Sequence, residues 1–363
     1  MFDDALLDDP TGLTEADTEG LLLAVARAGA QVRSTMETAE RLGLTAALEG
    51  SKPRALVLLG RPGVAPAVHR ILAALLGPGC PVPVVCTDVL PSWIGPLDVV
   101  LAHADDEGDR ELAIFIDRAV RYGATVVLTA PQEGPVAAAA AGGALLLPPV
   151  VDVPAGLGAA RVLTSGLLTL NALGLLRTDV AALADELDRE AERDHLAHES
   201  FVNPAKSLTL RLAEHTPLLW GLDAVATATA RHAAYVLGEF TETVCDVSDY
   251  PQARARTALH RGAVRGGSPE SLFADPDLDG PDSRLRVLLL TARSDEATAA
   301  LRVLASDALP SADVLAPSAE VATELAADEA TCAAVLALRF ELAALYLGLA
   351  TGNVGAGLPS GQR

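Results

Sequence analysis

The sequence predicts an α/β protein built from two doubly wound, parallel-sheet domains, each a three-layer αβα sandwich of flavodoxin or Rossmann type. Three observations carry this. Short, wholly apolar runs of strand length alternate with helical segments, the pattern of strands buried on both faces of a parallel sheet. The alternation stops at a Pro- and Gly-rich stretch followed by a charged helical segment, and then resumes. The length of 363 residues suits two or three domains at about 100–200 residues each.

The chain opens with helices: Leu21, Leu22, Ala24, Val25, Ala28 and Ala30 follow a helical period, and a second helical stretch covers 32–48. Residues 54–59 then form a first strand, 65–76 a helix, 82–87 a second strand and 98–102 a third. Helix 111–121, strand 124–129, short helix 137–141 and strand 144–147 complete the first set. Residues 150–158 are rich in Pro and Gly and lead to an apolar helix over 161–176. The stretch 180–199, dense in Asp, Glu and Arg, reads as an exposed connecting helix. Asn203 suits a helix N-cap and Pro204 the first helical position. The second set has helix 205–213, strand 217–220, a turn at Gly221, helix 224–237, strand 243–247, strand 286–291, helix 296–305, edge strand 312–315 and a closing helix over 332–349. The expected organisation is an N-terminal domain with leading helices (1–160), a helical linker (161–202), a C-terminal domain (203–351) and a flexible tail (352–363).

Composition removes several function classes. A net charge of −21 argues against nucleic acid, whose phosphates demand clustered Lys and Arg, and against an anionic membrane surface. Cys80, Cys86, Cys245 and Cys332 show no CxxC spacing, so neither a zinc site nor a redox motif is expected, and reduced thiols fit a cytoplasmic protein. The acidic start Met1-Phe2-Asp3-Asp4 is unlike a signal peptide. No GxSxG, P-loop or GxGxxG sequence occurs, which leaves serine hydrolase, NTPase and standard dinucleotide readings without support.

Two turns draw attention because strand-to-helix turns are where α/β folds hold anions. The first is Gly60-Arg61-Pro62-Gly63. Glycine lets a ligand approach the backbone and Arg61 can clamp a carboxylate or phosphate, although Pro62 removes one N–H donor. A turn of this kind also occurs with no ligand. The second runs from His103 through Asp105, Asp106 and Glu107 to Asp109, and its four carboxylates stand where an anion would sit. Two like charges at ~4 Å cost roughly 1–4 kcal/mol depending on dielectric, so an unaided phosphate should avoid this turn. Three readings stay open: acids supporting the helix N-terminus, a bridging cation, or a neutral or cationic ligand. His195 and His198 have i, i+3 spacing but no evident third metal ligand; no metal or cofactor is expected.

The run Asn203-Pro204-Ala205-Lys206-Ser207-Leu208 with Pro217-Leu218-Leu219-Trp220-Gly221, the stretch from Tyr250-Pro251-Gln252-Ala253 to Leu259-His260-Arg261, and Tyr346–Gly352 together resemble the two-domain sugar isomerase (SIS) proteins. The resemblance is to the bifunctional phosphoglucose/phosphomannose isomerases, and within them to an actinobacterial TobH-like subgroup. It implies a homodimer with sites where domains and subunits meet, and aldose–ketose interconversion of hexose 6-phosphates without metal or cofactor. It also implies Glu239 as the base and His260 as the ring-opening acid, with Gly60, Arg61, Gly63, His103, Asp105 and Asp106 around the substrate. At the second turn active relatives carry a Ser/Thr-rich SGNT-like loop, whereas 103–109 has no Ser or Thr. Ionised carboxylates cannot donate hydrogen bonds. The alternative expectation is a non-catalytic SIS protein that binds a hexose phosphate or related carbohydrate derivative as a regulator or scaffold.

Overall fold

The computed structural model describes residues 2–266 and 285–355. Two compact units emerge, one of Ala24–Asp188 and one of Met1–Leu23 with Arg189–Arg363. Of the expected flexible tail, 356–363 lie outside the described residues, while Gly352 closes the last helix in the left-handed conformation (φ +73°).

In chain order the helices are α1 (Pro10–Ala16), α2 (Leu21–Ala26), α3 (Ala28–Arg41), α4 (Leu44–Leu48), α5 (Ala65–Leu76), α6 (Arg110–Arg121), α7 (Gly134–Ala140), α8 (Ala159–Ala172), α9 (Val180–Arg193), α10 (Pro204–Leu212), α11 (Ala224–Thr241), α12 (Tyr250–Ala255), α13 (Thr257–Gly266), α14 (Glu296–Ala308) and α15 (Glu329–Thr351). The strands are β1 (Ala55–Gly60), β2 (Val84–Thr87), β3 (Asp98–His103), β4 (Thr125–Thr129), β5 (Leu145–Leu147), β6 (Thr216–Gly221), β7 (Asp246–Asp249), β8 (Leu285–Leu290) and β9 (Asp313–Leu315).

The unit Ala24–Asp188 holds a five-stranded sheet of order β2-β1-β3-β4-β5, parallel throughout. β1 and β3 are buried along their whole length, which is why their sequences are unbroken apolar runs rather than alternating ones. Val57, Leu59, Val100, Ala102, Val126 and Leu128 pack on α6 and α7. The other face carries α5 and α8, with α3 and α4 against α8. Each fully buried Val or Leu contributes about 1.5–3 kcal/mol. The helical stretch expected over 32–48 is divided at Gly43, whose φ of +68° a side-chain-bearing residue adopts only with strain.

The second unit repeats the plan one strand short: four parallel strands in the order β7-β6-β8-β9. One face packs Leu218, Trp220, Val287 and Leu289 against residues of α12, α13 and α14. On the other, α11 packs on β6 and α15, and α10 packs on α15. By length and composition α15 is apolar enough to cross a membrane, but it is the core helix of this unit and is buried almost end to end. Inside it, Arg339 Nε donates to Glu190 Oε1 (2.6 Å) and Arg339 Nη2 to Glu320 Oε2 (2.5 Å), and His232 Nε2 lies 2.8 Å from Glu341 Oε1. Buried charges are tolerated because each has a partner.

Two expectations change. The strand expected at 243–247 forms at Asp246–Asp249, because Thr241 and Thr243 are taken up in capping α11 through their hydroxyls (2.7 Å). The segment expected as an exposed connecting helix is α9, which ends at Arg193 and buries Leu183, Ala184, Leu187, Glu186 and Glu190. Its apolar stripe was masked in the sequence by acids, of which Glu190 pairs with Arg339.

Candidate functional site

In the first sheet β1 has β2 on one side and β3 on the other, so the winding reverses between β1 and β3. Ligands in open α/β sheets bind outside the carboxyl ends of the strands at such a point. Residues 60–63 and 103–109 meet there, but they meet each other. Arg61 Nε donates to Asp109 Oδ2 (2.9 Å) and its Nη2 to Glu111 Oε2 (2.6 Å). The bond to Asp109 raises the Arg61 pKa above its ordinary value. Burial works against ionisation of Asp109, but the Leu112 amide and Arg61 outweigh it and hold the carboxyl below its usual range. Gly63 turns the chain at φ +126°, and Gly60 lies against α5, where a Cβ would stand 3.2 Å from His69 Nδ1 and from Pro66 backbone atoms.

Two of the four carboxylates of the acidic turn, Asp105 and Asp109, are paired with arginines. His103 Nδ1 bonds Thr129 Oγ1 (2.8 Å) and its Nε2 bonds Asp105 Oδ1 (3.0 Å). Arg161 of α8, itself buried, donates from Nη2 to the same Asp105 oxygen (3.1 Å). Burial raises the Asp105 pKa, yet His103, Arg161 and the Gly156 amide prevail and hold it low. Asp106 accepts from the Gly108 amide (2.7 Å) and Asp109 caps α6 through the Leu112 amide (2.8 Å). Helix support therefore accounts for Asp109. Asp105 does something the sequence did not disclose: it is the counter-ion of Arg161, 56 residues away in the chain.

The second sheet reverses between β6 and β8, and there too the chain bridges itself. Asp223, the N-cap of α11, accepts from the Ala226 amide through Oδ1 (2.7 Å). Its Oδ2 accepts from Thr291 Oγ1 (3.2 Å), the Ala292 amide (2.8 Å) and the Arg293 amide (3.1 Å). Successive amides and a hydroxyl form the sort of concavity that binds anions; here a carboxylate of the protein occupies it.

The expected acid and base are not brought together. His260 on α13 stacks on Trp220 (centroids 5.9 Å, planes 6° apart) beside Tyr250 (6.2 Å). Its pKa is lowered by burial and then by Arg254. Its Nε2 and the Tyr250 hydroxyl are buried without a hydrogen-bond partner among the described residues. Glu239 is exposed on α11, which covers the other face of the sheet from α12 and α13. The Asn203–Lys206 motif serves the fold: Asn203 Oδ1 accepts from the Lys206 amide (2.8 Å), Asp194 Oδ1 from the Ala205 amide (2.8 Å), and the buried Lys206 Nζ donates to the carbonyls of Leu196 (2.8 Å) and His198 (2.7 Å). His195 and His198 lie beyond the end of α9, and no metal-binding cluster of His, Cys, Asp or Glu occurs among the described residues.

Sequence reasoning passed over His69. It lies on α5, 1% exposed, with neither ring nitrogen partnered among the described residues. Burial, and then His103, push its pKa down to about 3. The signal was present: Ala65, His69 and Leu72 share one helical stripe, so a histidine stands where an apolar residue is expected. His69 lines a cleft of about 430 Å³ over the carboxyl ends of β1 and the edge strand β2.

No family model matches the sequence, and no curated protein is significantly similar to it. Solved structures are similar in fold. Tagatose-6-phosphate ketose/aldose isomerase from Escherichia coli superposes with a TM-score of 0.62 at 12% identity, over 93% of this chain and 94% of that one. Glucosamine-6-phosphate deaminase from Thermotoga maritima gives 0.59 at 8% identity, over 91% and 95%. The C-terminal domain of glucosamine-fructose-6-phosphate aminotransferase from Francisella tularensis gives 0.58 at 7%, over 92% and 94%. The chain thus has the fold of the SIS phosphosugar isomerases.

Proposed function

We propose that this chain is an SIS-type protein that binds a sugar phosphate without isomerising it. The observation that carries the reading is the self-pairing at both points where the sheets reverse. Arg61 is held by Asp109 and Glu111, Arg161 and His103 by Asp105, and the amides of Ala292 and Arg293 by Asp223. A phosphate entering either place must displace a carboxylate of the protein. An aldose–ketose isomerase also needs its acid and base across one substrate, and His260 and Glu239 lie on different faces of their sheet. The neighbours' names, which concern sugar phosphates in three different reactions, support the ligand class more than any one chemistry, since a fold hosts many activities.

A second reading keeps the isomerase, specifically the phosphoglucose/phosphomannose type of the TobH-like subgroup. It is favoured by His260, whose Nε2 has no hydrogen-bond partner among the described residues and whose ring lies beside Tyr250. In either reading the protein is a cytoplasmic homodimer. Coupled assays with glucose 6-phosphate, mannose 6-phosphate and fructose 6-phosphate decide between them. The binding reading predicts no turnover above the uncatalysed rate, together with a rise in melting temperature with at least one of the three. A ligand at a hundredfold excess over Kd stabilises by about 2.7 kcal/mol. Turnover that disappears in His260→Ala would establish the isomerase instead.

A further inference from the structure

On the far side of β1 from Arg61's carboxylates lies the cleft lined by Gly60, His69, Arg70, Cys86, Thr87 and Asp88. Its volume of about 430 Å³ falls within the roughly 300–1,000 Å³ of small-molecule sites. Thr87 is taken up in a turn with Val89, but two basic side chains of the lining, His69 and Arg70, are uncommitted among the described residues. Arg70 is exposed and has no carboxylate partner among the described residues. His69 is buried with both ring nitrogens unsatisfied, and a neutral imidazole has one donor and one acceptor to offer. A buried polar group without a partner is costly, and such groups call for a water or a ligand to explain them. Gly60 keeps the floor open, since a Cβ there would press on the His69 ring at 3.2 Å. Desolvation raises the pKa of the Cys86 thiol against the pull of Arg70.

We propose that this cleft between β1, β2 and α5 binds a sugar phosphate, with the phosphate on Arg70 and the hydroxyls on His69 and Asp88. The assignment rests on the sugar-phosphate reading above and moves the ligand away from the β1/β3 crevice. A guanidinium takes a phosphate through paired N–H donors. A neutral imidazole and a carboxylate suit the donor-and-acceptor character of hydroxyls.

The test is a titration of the full chain with glucose 6-phosphate, with inorganic phosphate (charge without hydroxyls) and glucose (hydroxyls without charge) as separate arms. Binding is followed by calorimetry and by ¹⁵N-histidine NMR, with the His69 signals identified by their absence in His69→Gln. Glucose 6-phosphate is expected to bind at least tenfold more tightly than either fragment. Arg70→Ala, at an exposed position that should leave folding intact, is expected to weaken it at least tenfold. The His69 ring nitrogens of the unmodified chain are expected to shift at saturation. Binding with unmoved His69 signals, or with unchanged affinity in Arg70→Ala, would overturn the site while leaving the sugar-phosphate reading standing. Absence of binding by glucose 6-phosphate, mannose 6-phosphate and fructose 6-phosphate alike would overturn both.

Discussion

The two sides of β1 differ in what their polar groups have left to do. Toward β3, the basic side chains each have a carboxylate on them: Arg61 has Asp109 and Glu111, and Arg161 and His103 share Asp105. Toward β2, His69 has no partner and Arg70 no counter-ion among the described residues. Both sides present the same end of β1. A crevice at the right topological place is therefore not enough to make a binding site; free hydrogen-bonding capacity is also needed.

Breaking the self-paired side should have the largest effect. Asp105→Ala leaves the buried Arg161 guanidinium without its carboxylate, and unfolding in urea should show a loss of about 3–4 kcal/mol, the scale for removing one partner of a buried pair. Asp105→Ala with Arg161→Met should recover most of it. On the other side the effect is one of pH. The folded-state pKa of His69, about 3, lies below the ~6.5 of an unfolded imidazole. The unfolded chain therefore binds the extra proton first, and stability falls as pH drops from 6.5 toward 3. Replacing His69 with Gln should remove about 2–3 kcal/mol of that fall between pH 6.5 and 4, read as the difference between the two stability–pH curves. Gly60→Ala should cost about 1–2 kcal/mol by crowding His69 and Pro66. Arg61→Ala should cost least, about 1 kcal/mol in the same urea assay, because Glu111 is largely exposed.

Much of the fold was legible because parallel strands buried on both faces must be apolar: β1, β3, β4 and β8 follow directly from their runs. A capping residue marked a helix start equally well at Asn203. Pairings across long stretches of chain were not legible. Nothing local links Asp105 to Arg161, or Asp223 to Thr291, so two acids of a turn that looked like unmet charge, Asp105 and Asp109, are in fact each held by an arginine. The resemblance paired His260 with Glu239, but α13, which carries His260, lies on the opposite face of the sheet from α11, which carries Glu239. His69 could have been found by asking why an imidazole sits on the buried stripe of α5.

A crystal structure of the full chain grown or soaked with glucose 6-phosphate tests the central claim most directly. The account predicts density for the sugar phosphate over β1 and β2, its phosphate against Arg70 and a hydroxyl at His69, with Arg61 still on Asp109 and Arg161 still on Asp105. A phosphate seated on Arg61 or Arg161, or against the Ala292 and Arg293 amides, with the carboxylate displaced, would contradict it.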